Sequence, residues 1–105
     1  MASAAIPPGP PGILTYPCGT EYRGSIVDDM PNGIGQLCLP TGVVCTGSFV
    51  DGEAEGYAVQ RMPNGDLYIG DFKKGRRYGA GTFTFANGLK VTGHWVDGVY
   101  WRHAP

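Results

Sequence analysis

The chain has 105 residues and a nearly balanced charge, with eight lysines and arginines against nine aspartates and glutamates. This length accommodates one small domain, and the charge balance gives no general attraction to nucleic acid, so nucleic-acid binding is not expected. The eighteen glycines and nine prolines exceed ordinary usage, but without an every-third-residue pattern they do not indicate a collagen helix.

The first eleven residues are predicted to be a flexible, proline-rich arm. Prolines at positions 7, 8, 10 and 11 fix φ and remove backbone donors, which favours an extended path. A ligand for a proline-reading domain is the alternative for this segment. It has neither the basic start nor the apolar core of a secretory signal, and no apolar run reaches the roughly 20 residues of a membrane-spanning helix.

From residue 12 onwards one unit recurs along the chain at a constant step of 23 residues. Glycines near the end of each unit keep this step, at Gly19, Gly42, Gly65 and Gly88. Glycines near the start of each unit keep it as well, at Gly24, Gly47, Gly70 and Gly93. The predicted full units are 22–44, 45–67 and 68–90, with partial units at 12–21 and 91–101 and a tail at 102–105. A fixed period of this length predicts a repeat protein in which neighbouring copies stack.

Within each unit the pattern has a period of two, which predicts β-strands. In residues 68–88 aromatic residues and glycines alternate with polar residues on both sides of the segment KKGRR, which is expected to form a turn. Asparagine–glycine pairs at 32–33, 64–65 and 87–88 are also predicted to be turns. The expected fold is all-β, an elongated single-layer antiparallel meander of stacked β-hairpins with no significant helix.

The glycines inside the strands are expected to let aromatic rings lie flat on the backbone, because an interior glycine costs about 0.5–1 kcal/mol without such compensation. The candidate rings are Phe49, Phe72 and Trp95 on first strands and Tyr16 and Phe85 on second strands. Together they are predicted to form an apolar stripe that serves as the core. A single layer has nothing to cover this stripe, so its exposed part is expected to form a groove for a partner.

These residues resemble the MORN (membrane occupation and recognition nexus) repeat, with the pattern Y-x-G-x-[F/W]-x-x-G-x-x-x-G-x-G-x(6)-G. The unit 68–90 matches every element, whereas the unit 45–67 has Cys45 for the first aromatic and Ala58 for a glycine. The unit 22–44 has Ile26 for the second aromatic and Asp29 for a glycine. The resemblance implies a stack of β-hairpins without catalysis of its own. It also implies a place in a cytoskeletal, ciliary or flagellar assembly, or at a membrane, and the unpaired cysteines and missing signal lead us to expect a reducing cytoplasmic setting.

Side chains that carry chemistry form no recognisable catalytic or metal-binding pattern. Cys18, Cys38 and Cys45 are odd in number and have no CxxC spacing, which indicates reduced thiols and no zinc site. His94 and His103 are interpreted as structural residues of the incomplete last unit. No enzyme activity, cofactor, metal or small-molecule substrate is therefore expected.

The leading functional hypothesis is a scaffold or adaptor that docks a helical or extended segment of a partner protein. A sheet with open edges and an aromatic stripe offers two routes, docking along the stripe or strand addition at an edge. The residues expected to contact the partner are Phe49, Phe72, Phe85, Trp95, Tyr100 and Trp101.

The alternative hypothesis is peripheral binding to anionic phospholipid through Lys73, Lys74, Arg76 and Arg77. A third hypothesis rests on the distribution of charge. Residues 22–67 contain two basic and six acidic residues, a net charge of −4, whereas residues 68–90 contain five basic residues and one acidic residue, a net charge of +4. The two halves would attract each other in a head-to-tail contact between copies.

Overall fold

A computed structural model describes residues 10–101, in which the chain forms nine β-strands and no helix. The strands are β1 (Pro11–Thr15), β2 (Glu21–Val27), β3 (Met30–Cys38), β4 (Val44–Val50), β5 (Glu53–Arg61), β6 (Leu67–Lys73), β7 (Arg76–Thr84), β8 (Lys90–Val96) and β9 (Val99–Tyr100). The predicted all-β fold is confirmed. The predicted arm lies outside the described residues except for its last two prolines, of which Pro11 begins β1, and the predicted tail lies outside them entirely.

All nine strands belong to one open sheet in which they follow each other in sequence order and every neighbouring pair is antiparallel. The fold measures 39 × 38 × 18 Å. Eight spacings of about 4.8 Å between neighbouring strands account for one of the two long dimensions. The predicted single-layer meander is therefore confirmed.

The two strands of each hairpin are joined by a two-residue turn. All four turns lie at the same end of the strands, along one border of the sheet. Their first residues are aspartates or a lysine with positive φ, such as Asp51 at 48° and Lys74 at 52°. Glycine follows in three of the four turns, and in the first turn Asp29 holds a φ of 61°. Two consecutive residues with positive φ make a type I′ turn, whose twist matches that of the strands. These turns, called the hairpin tips below, are Asp28–Asp29, Asp51–Gly52, Lys74–Gly75 and Asp97–Gly98.

The Asn32–Gly33 pair is not a turn, and the prediction that placed one there is wrong. Both residues lie inside β3, at an irregularity where Gly24 pairs with Gly35 but Ile26 pairs with Pro31. Gly33 has a φ of 106°, as a bulge requires. The buried Asn32 side chain accepts a hydrogen bond from the backbone N–H of Asp51 at 2.9 Å, so this asparagine holds the next hairpin tip in place.

At the opposite end of the strands, wider turns connect one unit to the next. Backbone bonds from Met62 N to Asp66 O at 2.9 Å and from Phe85 N to Leu89 O at 2.8 Å close two of these turns. They contain the remaining asparagine–glycine pairs, 64–65 and 87–88, where turns were predicted and are found. Because an equivalent turn recurs once in every unit, these turns stack along this side of the sheet.

A row of glycines crosses the sheet from the first strand to the eighth, with a single interruption by alanine. Register pairs join the residues of this row, which are Gly12, Gly24, Gly35, Gly47, Ala58, Gly70, Gly81 and Gly93. The rings that cover the row are tyrosines, not the predicted Phe49 and Phe72. A Cβ atom at Gly35 would overlap the ring of Tyr22, and one at Gly81 would overlap the ring of Tyr68.

The second unit lacks both halves of this arrangement. Cys45 occupies the position of the covering tyrosine, and Ala58 occupies the position of the covered glycine. Both residues are buried, with 7% and 0% of their surface exposed. A methyl group is therefore accommodated where no ring lies on the backbone, which indicates that the glycines of the other two units are required by the tyrosines.

The core consists of aromatic rings that meet edge to face, both within one unit and between consecutive units. Tyr22 packs against Phe49 with ring centroids 5.2 Å apart, and Tyr68 packs against Phe72 and Trp95 at 5.3 Å each. The Tyr68 hydroxyl donates a hydrogen bond to the backbone oxygen of Asp71 at 3.0 Å. The contacts of Tyr22 with Phe49 and of Tyr68 with Trp95 join consecutive units, so the hairpins stabilise one another.

Candidate interaction surfaces

The six residues predicted to contact a partner fall into three groups, which are buried, half-buried and exposed. Phe49, Phe72 and Trp95 are 2%, 4% and 6% exposed, so their rings serve the core of the sheet. Tyr100 is half-buried, and its ring lies against Trp95 and over Gly93. Phe85 and Trp101 are exposed and lie apart in the fold, Phe85 beside the last wide turn and Trp101 directly after β9.

An apolar patch surrounds the last hairpin tip. It is a shallow depression of about 450 Å³, lined by Tyr78, Val96, Val99, Tyr100 and Trp101. Val99 is 68% exposed, so the patch is open to solvent. Contiguous exposed apolar surface of this kind marks interaction sites in soluble proteins, and tyrosine and tryptophan are enriched among residues that anchor a partner.

A basic tip adjoins the apolar patch. Lys73, Lys74 and Arg76 are exposed around the third hairpin tip, and the Lys73 ammonium group lies 5.0 Å from the centre of the Tyr78 ring. Tyr78 lines both the apolar patch and a second depression that contains the three cations. The two surfaces are therefore continuous.

Arg77 is separate from the other three predicted lipid-binding cations. Its guanidinium lies 5.3–5.7 Å from the ring centres of Tyr68, Phe83 and Trp95, in contact with the core. Burial lowers the pKa of the Arg77 side chain from its ordinary value. The charge of Arg77 is thus directed at aromatic faces, where cation–π attraction contributes about 1–2 kcal/mol.

Acidic side chains flank the basic tip on both sides. Glu53 from the preceding hairpin and Asp97 from the following one line the same depression as the cations. The Glu55 carboxylate accepts a hydrogen bond from the backbone N–H of Lys74 at 2.9 Å, which fixes the tip to the strand before it. The basic tip is consequently a narrow positive site between two negative ones.

All three cysteines carry free thiols, which are exposed in Cys18, partly buried in Cys38 and buried in Cys45. Cys18 is exposed, with its sulfur 3.3 Å from the Thr20 hydroxyl, and hydrogen bonding of that hydroxyl to the thiolate lowers the pKa of Cys18. Burial raises the pKa of the Cys45 thiol to about 11. Within residues 10–101 no three His, Cys, Asp or Glu side chains are grouped closely enough to hold a metal ion. In the same part of the chain no helix has the length and apolar character needed to cross a bilayer.

Comparison with known proteins gives a consistent result. The family model of the MORN repeat matches three consecutive segments, residues 22–44, 45–67 and 68–90. The chain belongs to the MORN repeat family. No curated protein matches it.

Equivalent positions in consecutive MORN units explain why the patch is apolar. Lys73 pairs with Arg76 across the third hairpin, and the equivalent pair in the next hairpin is Val96 with Val99. The last unit thus has two valines where the third has two cations. The first of these valines is also found in the first two units, as Val27 and Val50. The prediction from sequence missed Val96, Val99 and Tyr78. The signal was the loss of charge at positions that are charged in the MORN unit before, but only the structure shows that the side chains are exposed.

Proposed function

We propose that the protein is a non-enzymatic scaffold or adaptor that docks a segment of a partner protein at the apolar patch. The observation that carries the proposal is the continuous surface formed by the apolar patch and the basic tip. Apolar side chains of a partner would cover Val96, Val99 and Trp101. Carboxylates of the same segment would lie against Lys73 and Arg76. The partner segment is therefore expected to combine apolar and acidic residues.

The size of the patch sets the strength of this interaction. Five residues line it, whereas a stable protein–protein interface uses about 20–30 residues on each partner. Tight binding would require further contacts in an assembly, so the segment alone is expected to bind weakly. Membership in the MORN family supports a cytoskeletal assembly as the setting, for example in a cilium or flagellum.

The test replaces the two valines of the patch by the residues found at the equivalent positions of the third hairpin. Val96→Lys with Val99→Arg copies the third hairpin onto the fourth, so the double variant is expected to fold. Proximity labelling in cells followed by mass spectrometry would compare the proteins near the native chain with those near the variant. Loss of a defined set of proteins is expected, and recovery of an unchanged set would refute docking at the patch.

Ile34 supplies a matched control. It is 65% exposed, comparable to Val99, but it lies in β3, far from the patch in strand order. Ile34→Lys also exchanges an exposed apolar side chain for a cation, so it is expected to leave the labelled proteins unchanged. Candidates lost only in the valine variant would then be tested as peptides, with acidic residues exchanged for amides.

Anionic phospholipid is the second candidate ligand of this surface. The three exposed cations next to Val99 and Trp101 favour it, because each cation near an anionic membrane contributes about 1 kcal/mol. The flanking Glu53 and Asp97 oppose a flat approach to the membrane.

Flotation with vesicles that contain phosphatidylserine tests this candidate at low and moderate salt. The amount of protein that floats with these vesicles is expected to fall as salt rises, and to be lower for the double variant Lys73→Gln with Lys74→Gln. The lipid hypothesis would be rejected if neutral vesicles recovered the same amount of protein, or if neither kind of vesicle recovered any.

A further inference from the structure

The two ends of the sheet are incomplete in complementary ways. In the described part of the chain, β1 pairs with β2 on one side and has no strand on the other. At the opposite end, β9 pairs with β8 through Trp95 with Tyr100 and Val96 with Val99, and the Trp101 N–H donates a hydrogen bond to the His94 backbone oxygen at 2.8 Å. Among the described residues, no strand pairs with residues 90–93 of β8 on the side away from β7, and an open edge of this kind recruits another strand.

The period of the repeat shows what is missing from each end. The pair Val96 with Val99 repeats the pair Lys73 with Arg76, so β9 corresponds to the first two residues of β7. The pair Gly12 with Gly24 repeats the pair Gly81 with Gly93 after three periods, so β1 corresponds to the last five residues of β7. Residues 99–101 thus occupy positions 76–78 of the repeat and residues 10–15 occupy positions 79–84. Among the described residues, the two segments together fill each position of one second strand once.

We propose that β1 of a second copy of this chain pairs with residues 90–93 of β8, so that the sheet continues from one copy into the next. The contact would be antiparallel, as between β6 and β7, where Gly70 pairs with Gly81. The same register sets Gly93 of one copy opposite Gly12 of the other. The row of glycines then continues across the junction without a break.

Side chains at the junction fit this register. Ile13 is 57% exposed on the outer strand and would lie between Arg23 of its own copy and Thr92 of the other. The neighbouring pair would be Leu14 with Val91, both partly buried within one copy. Apolar side chains exposed at one end of the sheet are thus covered in the assembly.

Charge favours this head-to-tail arrangement over contacts between like ends. Residues 11–38 carry one basic and three acidic side chains, a net charge of −2, whereas residues 76–100 carry three basic side chains and one acidic, a net charge of +2. Pairing the first strands of two copies would bring like charges together, and so would pairing the last strands. Head-to-tail contact does not close on itself, so it adds copies in an open row.

Analytical ultracentrifugation of the whole chain tests the proposal over concentrations from about 10 µM to about 1 mM, the range expected for a short interface. The weight-average mass of the native chain is expected to rise beyond that of a dimer, and Ile13→Lys and Thr92→Lys are each expected to weaken association about tenfold. Ile34→Lys, an equally exposed change on an interior strand, is the matched control and is expected to leave association unchanged.

Mixing two different variants tests the register. Ile13→Lys in one population would face Thr92→Glu in the other, so the mixture is expected to associate more strongly than either variant alone. Mixing Ile13→Lys with Thr92→Lys leaves one native junction, Ile13 opposite Thr92, and sets the two lysines opposite each other at the next. This mixture is therefore expected to stop at dimers, whereas the lysine–glutamate mixture is expected to grow beyond them. Far-UV circular dichroism confirms that each variant is folded.

Two outcomes would overturn the proposal. One is a native chain that stays monomeric over the whole concentration range, and the other is association that Ile13→Lys leaves unchanged. Neither outcome bears on docking at the apolar patch, which the valine variants test separately.

Discussion

Replacing Gly81 by alanine is expected to destabilise the sheet because the added methyl group would occupy the space of the Tyr68 ring. The Cβ atom would overlap the hydroxyl end of that ring. The φ of Gly81 lies outside the left-handed region, so the backbone itself accepts alanine. The cost of the substitution therefore measures how closely the ring lies on the strand.

The expected loss in the free energy of unfolding is about 2–4 kcal/mol, mostly because overpacking a well-filled site costs about 1–3 kcal/mol. Displacing the ring also breaks the hydrogen bond from its hydroxyl to Asp71 O, which contributes about 1 kcal/mol. The edge-to-face contacts of Tyr68 with Phe72 and Trp95 would weaken as well, by about 0.5–1.5 kcal/mol for a contact that is lost.

A double-mutant cycle with Tyr68→Cys isolates this contact, since the double variant recreates the pair Cys45 and Ala58 of the second unit. Tyr68→Cys alone leaves a cavity and is expected to cost about 3–5 kcal/mol. In its presence Gly81→Ala is expected to cost less by about 1–3 kcal/mol. Urea unfolding followed by tryptophan fluorescence and circular dichroism would measure all four proteins.

Additivity within about 0.5 kcal/mol would refute the reasoning, because it would show that the methyl group and the ring do not compete for space. Gly56→Ala is the matched control. Gly56 has a φ of 86° and no atom within 4 Å of an added Cβ, so its substitution strains only the backbone. A cost of about 1 kcal/mol is expected there, independent of residue 68.

Three further predictions concern a hairpin tip, a buried cation and a buried thiol. Asp29→Gly should raise the urea midpoint by an amount equivalent to about 0.5 kcal/mol, because glycine adopts the φ of 61° without strain. Gly52→Asp should lower the midpoint for the opposite reason. A lower midpoint in Asp29→Gly would contradict the argument. Arg77→Gln should cost about 1–2 kcal/mol in the same assay, whereas Arg76→Gln, on the exposed side, should cost less than about 0.5 kcal/mol; equal costs would deny the cation–π contacts. Because burial raises the pKa of Cys45 from 9.0 to about 11, its protonated form stabilises the fold below pH 9, and this contribution is lost as pH rises through 11. Unfolding titrations at pH 8, 9, 10 and 11 should show a loss of about 1–2 kcal/mol that Cys45→Ala removes, and an unchanged pH dependence in that variant would contradict the assignment.

The order of the strands could be predicted from the sequence because the period fixes it. Glycines recurring at a constant step allow only a stack of equivalent hairpins, and the alternation between Tyr68 and Lys73 identifies the strands. The choice of ring could not be predicted in this way. Tyr68 and Phe72 lie on one strand and share a face, so alternation treats them alike. Only the direction of each side chain decides which ring covers the glycines.

The same limit explains the turn that was wrongly placed at Asn32 and Gly33. An asparagine–glycine pair suits a bulge as well as a turn, since both need a residue with positive φ. What distinguishes the two is the long-range bond from Asp51 N to the Asn32 side chain, which joins residues in consecutive hairpins. A pattern read along one segment contains no information about that partner.

The candidate site was predicted only in part for a related reason. Aromatic residues were expected at the partner surface, yet Phe49, Phe72 and Trp95 are the residues that the sheet needs for its own core. Exposure depends on how each ring is shared between neighbouring hairpins, which composition does not reveal. Arg76 and Arg77 show the same effect, because adjacent residues of one strand point to opposite faces.

The repeat thus separates the positions that hold the sheet together from those that are free to vary. The glycine row and its tyrosines tolerate change only in matched pairs, as Cys45 and Ala58 demonstrate. The residues beside the hairpin tips face solvent and differ from unit to unit, from Lys73 and Arg76 to two valines in the next hairpin. Such positions change without a cost to the fold, so the specificity of a surface on this sheet is expected to reside there. The same reasoning explains why the valine variants proposed above should keep their structure while losing a ligand.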